Sequence, residues 1–469
     1  MKSEKLRVKN KLTQFACVSL FFILHSSFII PNSAHAQWWT GWSQQTGLAL
    51  CLHQADSTYE LYSPLQTSDP IPVSKWSLQN DTLRLECASI GLKMTLVQRN
   101  SLWTGTWRQS LLKEAITFHP ADTLYQLRRP QTPQPPYRFD EETITADYTD
   151  SQGNKIHLEG TLSIPQGTAL RHYPTLLLVS GSGQQNRDEE IFQHRPFLVL
   201  ADYLASRDIA VLRYDDRGVG ASTGPLDSAD TYLFAEDAEA MFNALKNNPH
   251  VDIARLGIGG HSEGGAIAPI VAARNKDVRF VVMLAGQGCT GLDVLLQQNE
   301  AIYRAEGLSD SLLILRDACM RELFNLAITS NHSVTQKDYH AVINRHTAGL
   351  TKAQVDSLGL GRGAAYTIKQ QMDTRWIQSF LRLNPADYLP KVTCPVLALN
   401  GETDLQVLCS PNLTAIHKLC PHALCLPVSH TNHLFQRCKT GMPDEYIQIE
   451  ETLYPWVMKT IADWILDLK

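Results

Sequence analysis

From residue 37 to about residue 126, apolar and polar positions alternate with a period of two. Leu83, Leu85 and Cys87 fall on one side after the Asn80-Asp81 pair; Leu92, Met94 and Leu96 do so after Gly91, and Trp103, Gly105 and Trp107 after Asn100. Short alternating runs joined by turn residues predict an antiparallel meander, rolled into a small barrel or stacked as a sandwich. Trp38, Trp39, Trp42, Trp76, Trp103 and Trp107 all lie here. Such rings can stack on sugars, but in so small a domain they are expected to fill the core.

The pattern changes after "RRPQTPQPP" (Arg128–Pro136), whose prolines stiffen the chain, so residues 127–138 read as a linker. In residues 139–469, Ile144–Tyr148 and Ile156–Ile164 predict an antiparallel hairpin. Continuous apolar runs follow at Thr175–Val179, Ala210–Arg213, Leu256–Ile258, Phe280–Leu284 and Val396–Leu399, interleaved with helical periods such as Phe197–Ser206 and Leu233–Asn247. Uninterrupted apolar strands alternating with helices predict a mostly parallel sheet covered on both faces. Thr290 to about Leu389 breaks that rhythm with candidate helices Leu292–Ala305, Asp310–Thr329 and Ala364–Phe380, the pattern of a helical cap inserted between two strands.

At 469 residues the chain exceeds what one core usually holds, and its 43% apolar and 19% charged content is that of a globular protein. A net charge of -5, with no basic block beyond the extreme N-terminus, excludes a general nucleic-acid binder. That N-terminus reads as a secretory signal: Lys2, Lys5, Arg7, Lys9 and Lys11, then an interrupted apolar stretch Phe15–Ile30, then "NSAHA" before Gln37. An uncleaved anchor is the competing reading, but the apolar stretch is short for a span, and Cys17 lacks a lipoprotein context. Residues 1–36 are therefore expected to be removed, leaving an exported, periplasmic or extracellular protein without stable membrane insertion. Nine cysteines then remain, an odd number, so at least one thiol stays free or pairs between chains. Cys51 and Cys87 lie on alternating strands and could form a disulfide or stay as buried thiols; zinc-finger spacing is missing.

The chemistry concentrates around "GIGGHSEGGAIAP". Gly260-His261-Ser262-Glu263-Gly264 fits G-x-S-x-G between an apolar strand and a helix, a turn in which glycines let the elements approach and the serine stands clear. A serine hydroxyl needs a base, and the base a carboxylate, expected downstream in the order acid then histidine. "LNGETD" supplies Asp404 at a strand end, with Glu402 as a solvated competitor. "SHTNHLF" supplies His433, favoured over His430 because an apolar pair follows it and can anchor the loop. His261 reads as a packing residue. The developing oxyanion needs two backbone N–H groups. Glu263 should give one, and the "SGSGQQNRD" loop the other, from Ser182 first and Gly183 next. That glycine-rich loop lacks the lysine of a phosphate-binding P-loop. Asp215, Asp216 and Arg217 in "YDDRGVGAS" read as structural ion pairs that hold loops, as do Arg187 and Asp188.

Together "SGSGQQNRDE", "LRYDDRGVGAS", "GGHSEGG", "LALNGETDLQV" and "NHLFQ" resemble the motifs of capped bacterial serine esterases of the α/β-hydrolase superfamily, the EstD-type carboxylesterases, many of which carry an N-terminal β-domain. The resemblance implies an α/β-hydrolase fold and Ser262, Asp404 and His433 as a triad, acting on small-molecule esters without a cofactor or metal. Cys409, Cys420, Cys425 and Cys438 around the triad loops depart from that pattern. A serine peptidase or acylaminoacyl-peptidase would use the same triad, and a non-catalytic binding protein could keep the scaffold. Nothing in the sequence sets the oligomeric state.

Overall fold

The structure is a computed structural model that describes residues 37–468, apart from 45, 56–57, 67–69, 110–111, 168–171, 227 and 330–333. The expected signal segment, residues 1–36, lies outside the described residues. Among the described residues, no helix is long and apolar enough to cross a membrane.

Nine strands form the first sheet: β1 (Gln37–Trp42), β2 (Ala49–Ala55), β3 (Thr58–Tyr62), β4 (Pro70–Ile71), β5 (Lys75–Gln79), β6 (Thr82–Cys87), β7 (Leu92–Arg99), β8 (Leu102–Gln109) and β9 (Leu112–Ala121). They pair antiparallel in the order β4-β3-β2-β1-β9-β8-β7-β6-β5. The alternation dictates this. Asn80 and Asp81, then Asn100 and Ser101, take positive φ in two-residue hairpin turns, which sends Leu83, Leu85, Cys87, Leu92, Met94, Leu96, Trp103 and Trp107 to the buried face. The sheet curls until Tyr59 of β3 meets Trp76 of β5 at 5.4 Å between ring centroids.

One expectation is corrected here, and one open alternative is decided. Trp39, Trp103 and Trp107 fill the core, but Trp42 stands 42% exposed on the outer face; Trp76, opposite Leu85 on the inner face, is 42% exposed because β5 is an edge strand, and Trp38 stacks on His53 at 3.9 Å. Cys51 and Cys87 are separate buried thiols. In the sheet order β1, β9, β8 and β7 lie between their strands, and Cys87 faces the core while Cys51, between the core residues Leu50 and Leu52, faces the other way beside Thr40.

The proline-rich stretch is tied down. Arg129 donates to the carbonyls of Phe192, Ile447 and Ile449, and Gln131 bonds the backbone of Thr452 and Leu453. It clamps onto the second domain instead of spacing it.

That second domain is an eight-stranded sheet of β10 (Phe139–Thr149), β11 (Lys155–Pro165), β12 (Tyr173–Val179), β13 (Ala210–Tyr214), β14 (Val251–His261), β15 (Val281–Leu284), β16 (Val396–Gly401) and β17 (Leu424–Val428). Its order is β10-β11-β13-β12-β14-β15-β16-β17; β10–β11 and β11–β13 are antiparallel and every other pair is parallel. Both faces are covered, which is why the strands read as unbroken apolar runs. Leu177, Leu212, Ile258 and Met283 pack under helices α2 (Thr231–Leu245) and α3 (Gly264–Arg274). Leu176, Leu178, Val211 and Val282 pack under α1 (Pro196–Ala205) and the C-terminal helix Pro455–Asp467.

Between β15 and β16 the chain makes the cap: α4 (Gly291–Ala305), α5 (Asp310–Thr329), α6 (Gln336–Thr347), α7 (Lys352–Ser357), α8 (Ala364–Met372) and α9 (Arg375–Arg382), with an apolar core of its own. The single helix expected over Ala364–Phe380 is two, because the Thr374 hydroxyl caps a fresh N-terminus at Ile377. Helices α6 and α7 are additions; each opens on a capping box, Thr335 with Asp338 and Thr351 with Gln354. After β16 come α10 (Cys409–Leu419), β17 and α11 (Pro455–Asp467).

Candidate active site

β14 ends at His261 and α3 begins at Gly264, leaving Ser262 in the turn with φ 54°, a left-handed conformation costly for a side-chain-bearing residue. The flanking glycines are needed sterically. A Cβ on Gly260 would lie 2.3 Å from the Gly264 carbonyl oxygen, and one on Gly264 would lie 2.1 Å from that of Val179. Ser262 is half-buried while its neighbours His261 and Glu263 are buried.

Asp404 follows β16, and His433 follows β17. His433 Nδ1 is 2.8 Å from Asp404 Oδ2, both residues being at least 96% buried. Asp404 Oδ1 accepts from the amides of Gln406 (2.7 Å) and Val407 (3.0 Å), which fixes the carboxylate. With Nδ1–H given to Asp404, the neutral ring leaves its lone pair at Nε2. The histidine loop is equally constrained. Asn432 Oδ1 accepts from Leu434 and Gln436, and Leu434 and Phe435 are buried, as the apolar pair suggested. Glu402 and His430 point to the surface. Ser262 Oγ makes no hydrogen bond among the described residues.

The loop after β12 approaches Ser262 from the other side. A Cβ on Gly181 would come 3.2 Å from Ser262 Cβ, and Gly183 has φ 109°. Paired aspartates hold this loop: Asp216 accepts from Ser180 Oγ (2.7 Å) and the Gln185 amide (3.0 Å), and burial pushes its carboxyl well up. Asp215 takes the Arg187 guanidinium and amide. Arg217, fully buried, bonds Asp237 and Asp150, and Arg213 pairs with Asp188. These charges build loops, as the sequence suggested.

Three arrangements lay beyond the sequence reading. His261 contacts Glu189 Oε1 through Nδ1 and the His433 carbonyl through Nε2, each at 2.9 Å, so it links loops instead of simply packing. The Glu263 side chain turns away from the turn to accept from Thr231 Oγ1 (2.6 Å). Trp376 Nε1 in the cap also donates to Glu263, at 2.8 and 2.9 Å. The acidic run "DEE" is the one local signal that pointed to Glu189, and the sequence reading did not use it; nothing local named its partner.

A serine turn after the central strand β14, a carboxylate after β16 and a histidine after β17 on this strand order decide the architecture. The fold is that of an α/β hydrolase. Residues 195–305 match the family model described as serine aminopeptidase, S33. The esterase EstD of Thermotoga maritima is 29% identical over 191 residues, which cover 40% of this chain and 43% of that protein; the chain thus spans less than half the length of this curated relative. Among solved structures, a hypothetical protein of Pseudomonas aeruginosa is 15% identical with a TM-score of 0.43, over 74% of this chain and 100% of the other. Est1E of Butyrivibrio proteoclasticus with ferulic acid bound is also 15% identical, with a TM-score of 0.40 over 68% and 98%.

Proposed function

We propose that the chain is an exported serine carboxylesterase that hydrolyses small-molecule carboxylic esters through an acyl-enzyme. The observation that carries this is Ser262 in a left-handed turn on the strand beside a buried Asp404–His433 pair at 2.8 Å. Ser262 Oγ attacks the acyl carbonyl as His433 Nε2 takes its proton, and Asp404 holds the imidazole in the tautomer that can do so. The amides of Ser182, or its neighbour Gly183, and of Glu263 face the developing oxyanion. His433 returns the proton to the departing alcohol, then activates water to release the acid. The matched relative is itself called an esterase. Export rests on the sequence of residues 1–36.

A peptidase reading is favoured by the description of the matching family model. Both share one test. Wild type and Ser262→Ala are compared on graded nitrophenyl esters, on the matching anilides and with a fluorophosphonate probe. We expect ester cleavage and labelling of Ser262, both lost in the variant. Anilides cleaved faster than esters would move the protein to the peptidases, and an unlabelled, inert wild type would leave a binding protein.

A further inference from the structure

Glu189 and His261 sit between the two loops that flank Ser262. Glu189 is 5% exposed and held at φ 51°; one of its oxygens, Oε1, accepts from the Gly181 amide at 2.7 Å and faces His261 Nδ1 at 2.9 Å. His261, 7% exposed, presents Nε2 to the His433 carbonyl at 2.9 Å, and the two imidazole centroids are 4.7 Å apart. Gly181 immediately precedes Ser182, and His433 carries the base, so one carboxylate oxygen and one ring tie both sides of the site together.

The chemistry of the ring follows from its neighbours. A carbonyl oxygen can only accept, so Nε2 must carry a hydrogen. Facing a carboxylate, which has no hydrogen to give, Nδ1 donates as well, and His261 is an imidazolium paired with Glu189. Desolvation alone would push its pKa down; Glu189 and the carbonyl outweigh that and raise it above the usual histidine value. A buried pair of this kind is fixed in direction by its partners, which suits it to setting geometry.

We infer that Glu189 and His261 are positioning residues: through Gly181 they aim the Ser182 amide at the oxyanion, and through its carbonyl they hold His433 in line with Ser262. This rests on the roles proposed above for Ser182, Ser262 and His433. Neither residue touches the substrate. Loss of the pair therefore lowers turnover and affinity for the tetrahedral state, not affinity for the ester.

The two ring nitrogens can be separated by substitution. In His261→Gln the side-chain amide reaches where Nε2 was and keeps the His433 tie; in His261→Asn it reaches where Nδ1 was and keeps the Glu189 tie. With Glu189→Gln and the double variant Glu189→Gln/His261→Gln, these are assayed on a nitrophenyl ester, with a trifluoromethyl ketone as tetrahedral analogue, fluorophosphonate labelling and thermal melting. For Glu189→Gln and His261→Gln we expect kcat to fall about 10- to 100-fold with KM within about threefold, since misaiming a donor costs less than removing one. Analogue affinity should fall in parallel, and the double variant should lose no more than the worse single one. His261→Asn should lower kcat and the labelling rate with less effect on the analogue. Folded variants with kcat within twofold of wild type would overturn the inference, as would losses confined to KM or additive in the double variant. If Glu189→Gln does not fold, the two His261 variants decide alone. A wild type unlabelled at Ser262 would instead overturn the catalytic reading, and the positioning role would fall with it.

Discussion

Trp376, on the first turn of α9, donates its indole N–H to the carboxylate of Glu263, the residue that follows Ser262. The cap is thus bonded to the serine turn through a buried group. One residue earlier, Arg375 bonds Asp230 at 2.7 Å, and Asp230 caps the helix whose Thr231 also serves Glu263. Trp376→Phe keeps the ring stacked on Phe380 but removes the donor, leaving Glu263 one partner short. We expect a loss of about 1–3 kcal/mol in unfolding free energy, read from urea midpoints. We also expect Trp376→Ala to shift the preferred acyl length while acetate esters remain cleaved. An unchanged chain-length profile would mean that the indole only fastens the cap.

Glu263 itself should make stability depend on pH. Burial pushes its carboxyl from 4.5 to about 7 in spite of the two donors. Between those values the unfolded chain has released the proton and the folded one still holds it, so folding loses stability as pH rises. Below about pH 4.5 both states are protonated and above about pH 7 both are ionised, so the loss is confined to that window. A shift of this size corresponds to about 3 kcal/mol. Glu263→Gln cannot titrate, so its unfolding free energy relative to wild type should rise between pH 5 and pH 8. A difference that stays flat over that range would show that Glu263 does not hold its proton there.

What could be read from the chain divides by the range of the cause. Period-two alternation, paired hairpin turns and unbroken apolar strands are local, and they yielded both sheets and the cap's place between β15 and β16. Ser262, Asp404 and His433 stood out because each closes a strand-end motif. Glu189, by contrast, meets His261 across 72 positions, and Trp376 meets Glu263 across 113. No periodicity encodes such partners. The six tryptophans failed as a group for a related reason. A ring's hydrophobicity does not say which face of a strand it occupies or whether that strand is an edge: Trp42 falls on the outer face, and Trp76 on the edge strand β5. Capping boxes at Thr335 and Thr351 were legible and went unread.

The acid loop permits a sharp test of the tautomer. Two backbone amides claim Asp404 Oδ1, so an asparagine there must put its oxygen toward them and its NH2 toward His433 Nδ1. The imidazole would then accept at Nδ1 and carry its proton on Nε2, where it cannot act as a base. Asp404→Asn should fold and melt near wild type yet lose about 10³- to 10⁴-fold in kcat. His433→Ala should be as damaging as Ser262→Ala, because such residues act as a unit. His430→Ala, at an exposed position whose backbone carbonyl takes the Cys438 amide, should keep most activity. The reverse order for the two histidines would put the base on the other one.

Among the described residues, the β-domain gives no side-chain hydrogen bond to Ser262, Asp404 or His433, and a proline linker suggested a tethered neighbour. Its contacts point elsewhere. The Phe192 amide donates to the Leu65 carbonyl at 3.2 Å, and the Gln193 side chain bridges the Tyr125 carbonyl and the Leu127 amide at 2.8 and 2.7 Å. Glu189, Phe192 and Gln193 all carry positive φ, so this stretch is costly to hold and needs outside support. It is the stretch that runs from Glu189, beside the serine turn, toward the β-domain. A chain beginning at residue 127 keeps the Arg129 and Gln131 clamps on the second domain and should still fold. It lacks Leu65 and Tyr125, so we expect ester turnover to persist at about a tenth to a third of the full-length rate, with KM little changed and a lower melting temperature. Full activity would make the domain a bystander. A well-folded but inert product would mean that the β-domain is required to complete the site, because support for a strained loop lowers a rate by degrees, whereas a missing catalytic part abolishes it.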